Sequence, residues 1–314
     1  MPDETADATA DRPPLATIAL LTRNSAATIG AVLDAIVAQE FTDYEILVID
    51  SSSTDATIDI VSRFDIRLIV IDPADFGHGR TRNVAAREAR GELVVFLTHD
   101  SIPRHPGWLT ELLAPFADPI VAGAYGRQIP RDDEKPLDKY FFLSLYGDEP
   151  RVWRRGNWSA GDNISSNANS VMRTTLLRQH PFHADIIVSE DYEWASRLLE
   201  LGYEIVYNPA ASVTHSHHYT LGTLFKRNFD VGVSYRSIYT TPTSGGFLRK
   251  GLGIYWNEIR VLATNRYAHL IPMATLRDVV RLTAISLGRH ETWFSTRVKA
   301  RHLSAQTWYW KARA

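Results

Sequence analysis

Residues 76–103, FGHGRTRNVAAREARGELVVFLTHDSIP, decide the fold of this chain. Gly77, His78 and Gly79 predict a flexible polar loop. Residues 80–90 follow a helical period, with Val84 and Ala85 inward and Arg87, Glu88 and Arg90 outward. Gly91 is expected to close that helix in a left-handed cap. Residues 93–97, LVVFL, are a continuous apolar run short enough for a buried parallel strand. The run ends in Thr98, His99, Asp100 and Ser101, polar groups at a strand's carboxyl end, where open α/β sheets gather their ligands. Asp100 has two readings there: a turn residue bonding its own backbone, or a ligand for a divalent metal.

Working outward, the same alternation repeats. Residues 17–21 predict a first strand running into the polar turn Thr22, Arg23, Asn24, Ser25, and residues 27–39 a helix with Ile29, Val32, Leu33 and Ile36 on one face. Residues 45–50, EILVID, predict a second strand ending on Asp50, and Ser53 or Thr54 is positioned to cap the helix through Ile58 and Val61. Residues 67–71 predict a third strand, 108–116 a helix and 120–125 another strand. Such alternation implies a mostly parallel sheet flanked by helices, with the ends at Thr22, Asp50 and Asp100 on one rim. No G-x-G-x-x-G follows the first strand and no Gly-Lys-Ser/Thr phosphate loop occurs, which argues against dinucleotide oxidoreductases and P-loop proteins.

The chain has 314 residues, 45% hydrophobic and 22% charged. Cysteine is absent, which excludes disulfides, thiol nucleophiles and cysteine metal sites. Residues 1–14 are acidic and alanine-rich, and predict a disordered lead-in rather than a secretory signal. No run approaches the ~18 apolar residues of a membrane span. From Tyr219 onward 15 Lys and Arg face four acids, a net of +11 against −13 for the remainder. A basic tail on an acidic body suggests an anionic partner. In that tail Leu276, Val279, Val280, Thr283 and Leu287 recur at helical spacing, with Arg277 and Arg281 expected on the opposite side. Those stripes either pack on the core or rest on an anionic membrane surface, where interleaved aromatic and basic side chains are favoured. No nucleic-acid-binding motif is present.

The order TRN, VIDSSSTD, HGRTRN and FLTHDSIP resembles an inverting, family-2-type glycosyltransferase, closest in wording to bacterial rhamnosyltransferases of polysaccharide synthesis. The resemblance covers residues 15–219 well and LSAQTWYW near the end more loosely. Two positions depart from the family pattern: Thr98 stands first in the Asp-x-Asp metal motif, and Ser51 follows Asp50 where a second acid is usual. The resemblance implies a GT-A (Rossmann-like) domain over 15–218 and a basic, helical C-terminal region over 219–314, for acceptor, membrane-surface or oligomer contacts. It assigns the nucleotide-sugar to Thr22, Asn24, Asp50, Arg80, Arg82, Asn83, His99 and Asp100.

The second half of the site is read the same way. Asn163, Asn167 and Asn169 lie in a polar stretch that is a surface loop or, by the resemblance, a segment beside the donor sugar. Glu190 and Asp191 open a helix, a place where acids are common for dipole reasons alone. The resemblance makes Asp191 the general base and gives Asn167, Asn169, Glu190 and Trp194 sugar or acceptor contacts. Among His215, His217 and His218, zinc is disfavoured because the spacing suits one face poorly. The resemblance makes His215 the metal partner of Asp100, with His217 as runner-up, around Mn2+ or Mg2+. It implies L-rhamnose from dTDP-rhamnose as donor, a polysaccharide or lipid-linked glycan as acceptor, and a cytoplasmic chain attached peripherally to the inner face of the cell membrane. The rival readings are a UDP-sugar donor with the same mechanism, and a non-catalytic sugar-nucleotide-binding scaffold.

Overall fold

The computed structural model describes residues 12–159, 161–238, 244–311 and 313, with no side-chain description for 244–251. Most of the expected acidic lead-in, residues 1–11, lies outside the described residues. The chain runs β1 (Ala16–Thr22), α1 (Ile29–Val37), β2 (Tyr44–Asp50), α2 (Thr57–Val61), β3 (Arg67–Val70), α3 (His78–Glu88), β4 (Leu93–Thr98), β5 (Ile102–Pro103), α4 (Trp108–Leu113) and β6 (Val121–Ile129). It continues through α5 (Pro136–Leu145), β7 (Arg151–Trp153), β8 (Asn169–Arg173), α6 (Thr174–Gln179), α7 (Glu190–Glu200) and β9 (Glu204–Thr214). Helices α8 (Leu221–Ile238), α9 (Ser244–Thr264), α10 (Ile271–Arg289), α11 (Thr296–Val298) and α12 (Thr307–Lys311) complete it.

The strands form one sheet in the order β3-β2-β1-β4-β8-β6-β9-β5, with β7 also paired to β9. The expected parallel pairing holds across β3, β2, β1 and β4. Beyond β4 the sheet is mixed, because β8 runs antiparallel to both β4 and β6. The chain reaches β8 after a long excursion through α5 and β7, so no right-handed crossover helix forces it parallel. Thr22 pairs with Asp50 and Leu21 with Thr98, which sets three carboxyl ends along one rim.

Alternation along β4 builds the two halves of the core. Val94 and Phe96 pack with Ala85 and Ala86 of α3 and Trp194 and Leu198 of α7. Leu93, Val95 and Leu97 face the other way, against Ile29, Leu33 and Ile36 of α1 and Trp108 and Leu112 of α4. The helix of the opening stretch begins at His78, so the expected loop contracts to Gly77 at its N-cap. Gly91 does not take a left-handed conformation; positive φ among glycines occurs at Gly156, Gly161 and Gly202. Its role is close approach, since a Cβ there would meet the Ala16 carbonyl carbon at 2.6 Å. Nor do Ser53 and Thr54 cap α2: Asp55 accepts from the Thr57 amide at 3.0 Å, while Ser53 and Thr54 bond Asn24.

The C-terminal helices pack onto this body through Phe229, Val233, Ala284 and Trp310, which bury Ile187 and Val188 ahead of α7. Helices α8 and α10 touch at Gly232 and Gly288, where a Cβ would lie 2.3 and 2.1 Å from the facing carbonyl oxygens. The polarity expected of α10 is inverted. Arg277 and Arg281 are buried with Ala274, Ala284 and Gly288, while Leu276 and Val279 are exposed. Buried carboxylates make this possible: Arg277 is ion-paired with Asp138 of α5, and Arg281 with Asp278 and Glu258. No helix among the described residues is long and apolar enough to cross a membrane.

Candidate active site

A cavity of 620 Å³ opens where the β4 rim, the β8 approach, the start of α7 and the segment after β9 converge. Its wall includes His99, Asp100, Asn167, Glu190, Asp191, His215 and His217, so the structure brings most of the expected second-half residues together.

One corner is built for a cation. The Asp100 carboxylate lies 3.5 Å from His215 Nε2 and 3.8 Å from His217 Nδ1. The ligand atoms of the three residues all fall within 4.8 Å of one another. His215 reaches this point because β9 continues to Thr214, which sets it immediately past the strand's end. Gln128 fixes its ring. The Gln128 amide nitrogen lies 2.6 Å from the Tyr146 hydroxyl and 2.7 Å from that of Ser166, so the amide oxygen turns to His215 Nδ1 at 2.7 Å. Nδ1 then carries the proton and Nε2 presents a lone pair toward Asp100. Nε2 is buried without a hydrogen-bond partner. A buried lone pair facing a carboxylate is the donor set of a divalent ion, so these residues fit the expected metal. Burial alone would raise the Asp100 carboxyl; without a metal, a proton taken up on His215 Nε2 and the neighbouring imidazoles hold it well below the usual carboxylate range. His217 is pushed down to about 4 by burial and by His215, which keeps it neutral and able to coordinate.

The facing corner treats its carboxylate in the opposite way. Ser189, at the N-cap of α7, has φ 66°, a left-handed conformation in a non-glycine residue that turns Glu190 and Asp191 into the cavity. Asp191 Oδ2 accepts from the Asn167 amide at 2.8 Å and Oδ1 from the Tyr192 amide at 2.8 Å. Those bonds and the Arg82 charge favour the anion. Burial, reinforced by the neighbouring Glu190 charge, outweighs them and raises the carboxyl above its ordinary value. Glu190 is buried in an ion pair with Arg82, whose guanidinium sits 5.8 Å from the Phe96 ring centre. Arg82 itself lines the cavity and holds Glu190 there.

The rim expected to hold the nucleotide is tied together by hydrogen bonds. Thr22 donates to Asp50 at 2.8 Å, and the buried Asp50 also accepts from the Ser53 amide at 2.7 Å. Asn24, with φ 50°, accepts from the Thr54 amide at 2.9 Å. Arg80 sits in the first turn of α3, half-buried. Thr22, Asn24, Asp50 and Arg80 are not among the residues that line the cavity, and three further expected contacts do not reach it either. Asn83 gives both ends of its amide to the Phe182 backbone. Asn169 bridges Trp108 and the Ala211 carbonyl in the interior. Trp194 is 0% exposed, its indole donating to the His180 carbonyl. Each is a strut between elements, and the polar or aromatic side chain that suggested contact serves packing.

Other cavity residues were not anticipated. Gln128, His78 and Arg227 of α8 all line it. His78 is pushed down to about 3 by burial and by the Arg82 and Arg227 charges, so it is a neutral ring at the start of α3. The FGHG wording marked the segment without giving this histidine a role.

Comparison with known proteins fits this geometry. The family model described as glycosyl transferase family 2 matches residues 17–179. O-antigen chain rhamnosyltransferase WbaN of Salmonella anatum is 35% identical over 85% of this chain and 86% of its own. O-antigen chain rhamnosyltransferase RfbN of Salmonella typhimurium is 31% identical over 94% and 95% respectively. Among solved structures, the mannosyltransferase PcManGT from Pyrobaculum calidifontis, in complex with GDP-Man and Mn2+, superimposes with TM-score 0.62 at 19% identity, covering 90% of this chain and 88% of that one. S. aureus TarS 1-349 in complex with UDP gives TM-score 0.52 at 15% identity, over 88% and 91%. The fold is thus the GT-A fold that the sequence resemblance implied. On the matched family and its full-length relatives, this chain is a glycosyltransferase and belongs to glycosyl transferase family 2.

Proposed function

We propose that this glycosyltransferase moves L-rhamnose from dTDP-rhamnose, with inversion, onto a hydroxyl of a polysaccharide or lipid-linked glycan at the inner face of the cell membrane. The donor assignment is supported by the two rhamnosyltransferases that match nearly the whole chain. One observation carries the mechanism: Asp191 shares a cavity with the Asp100–His215–His217 corner.

Asp100 and His215, with His217 beside them, would hold Mn2+ or Mg2+, which when bound supplies Lewis-acid stabilisation of the leaving diphosphate. Thr22, Asn24 and Asp50 are assigned to the nucleotide, and Arg80 to the phosphate side, where the start of α3 favours negative charge. Asp191 takes the proton of the acceptor hydroxyl on a lone pair not used by the Asn167 and Tyr192 amides. The new carbon–oxygen bond forms on one face of the anomeric carbon as the bond to the diphosphate breaks on the other, which inverts the centre. A carboxylate of ordinary pKa, ~3.9, is a weak base for a free hydroxyl, and the raised value of Asp191 improves the match. The Asn167 and Tyr192 backbone amides hold Asp191 in place, and Arg82 pairs with the neighbouring Glu190. Residues 15–218 form the glycosyltransferase domain in this reading. The 219–314 region is assigned to the acceptor and membrane side, supported by α8, which lends Arg227 and Tyr235 to the cavity wall.

The test is turnover with purified protein and Mn2+ or Mg2+ against dTDP-rhamnose, UDP-glucose, UDP-galactose and GDP-mannose. Metal-dependent preference for dTDP-rhamnose, with an inverted anomeric centre by NMR, is the expected result. Preference for a UDP-sugar would discard rhamnose and keep the mechanism; retention of configuration would discard the single-base mechanism.

A further inference from the structure

Helix α10 is built inside out. Arg277 turns inward to Asp138, and Arg281 to Glu258 and Asp278. Its outer side carries Met273 at 44%, Leu276 at 44% and Val279 at 54% exposure. A helix that meets water normally shows the reverse polarity, and an uncharged apolar face of this length marks an interaction surface. The neighbouring helix α9 carries an exposed row of its own. Leu252 and Trp256, 48% and 65% exposed, lie one turn apart, and exposed Arg260 is one turn further along the same row. Exposed Arg266 follows at the turn between the helices.

We infer that the outward face of α9 and α10 docks on an anionic phospholipid surface. The apolar row enters the acyl boundary, Trp256 lies at the headgroup level, and Arg260 and Arg266 pair with lipid phosphates. The charges favour lipid over a second copy of the chain, because a two-fold contact through this face would bring the same arginines toward each other. The surface lies on the region that also supplies α8 and the inward-facing Arg281 of α10 to the cavity wall. This deepens the membrane side of the proposed function and rests on it. Its readout needs no substrate, so its failure is distinguishable from failure of the transfer reaction.

The test is co-sedimentation of the full chain with phosphatidylcholine vesicles, with and without phosphatidylglycerol, alongside tryptophan emission and light-scattering mass. Binding to the phosphatidylglycerol vesicles, weakened by salt and accompanied by a blue shift, is the expected result. L276E and V279E sit at exposed positions and should reduce that binding about tenfold or more, with circular dichroism unchanged. R260A, which leaves the apolar row intact, should lower the preference for phosphatidylglycerol. Absence of binding, binding indifferent to phosphatidylglycerol, or binding that survives both glutamates overturns the inference. A dimer that L276E separates would assign the face to a second copy instead.

Discussion

Two aspartates line one cavity and are driven in opposite directions. Asp100 is held acidic by a fence of imidazoles, and Asp191 is raised by burial and by Glu190. In the proposed mechanism identical side chains thus take different tasks from their surroundings: one stays an anion to bind a cation, the other is poised to accept a proton. The supports differ in kind. Asp100 depends on side chains remote in sequence, through Gln128 and His215, whereas Asp191 is fixed by backbone amides next to it and at Asn167.

The largest expected effect comes from Asp191→Asn, which keeps the shape and removes the base; kcat should fall about 10²–10⁴-fold with donor affinity little changed. Gln128→Ala frees the His215 ring and should weaken metal affinity about 10–100-fold, read as the Mn2+ concentration for half-maximal rate, with kcat at saturating metal largely restored. His217→Ala removes a neutral, half-exposed partner of Asp100 and should weaken the same reading by less than Gln128→Ala. The smallest signals are shifts with pH. The folded pKa of Asp191 is raised, so its protonated form stabilises the fold in acid, and that contribution is lost as pH rises through the folded value. Asp191→Asn should therefore raise the thermal midpoint at neutral pH, with the gain vanishing in acid. Asp100 has a depressed pKa and contributes stability above its unfolded value, lost as pH falls, so Asp100→Asn should lower the midpoint at neutral pH in metal-free buffer. Midpoints that move in the same direction would break the contrast.

Much of this cavity could be read before the structure. Asp100 ends a buried strand, Asp191 opens a helix in a recognisable motif, and His215 follows a strand, so each carries a local signal. Gln128 does not: it lies on β6, and its meaning comes from a histidine 87 residues away. Trp194 and Asn169 carry the same kinds of side chain as residues that line the cavity, and only the fold separates the two sets. Helix α10 shows the limit of periodicity, which gives two faces and leaves open which one turns inward. Buried Asp138 and Glu258, distant in sequence, decide that arginine does. Gly91 was read through the conformation glycine permits, whereas the space it leaves for Ala16 is what the fold uses.

The most direct test of the assignment is Mn2+-dependent donor binding by calorimetry, with Asp191→Asn and Asp100→Asn side by side and dTDP-rhamnose as ligand. The account predicts that Asp191→Asn binds donor with the wild-type metal dependence and does not transfer, while Asp100→Asn loses the metal dependence of binding. Transfer by Asp191→Asn, or unchanged metal dependence in Asp100→Asn, would contradict it.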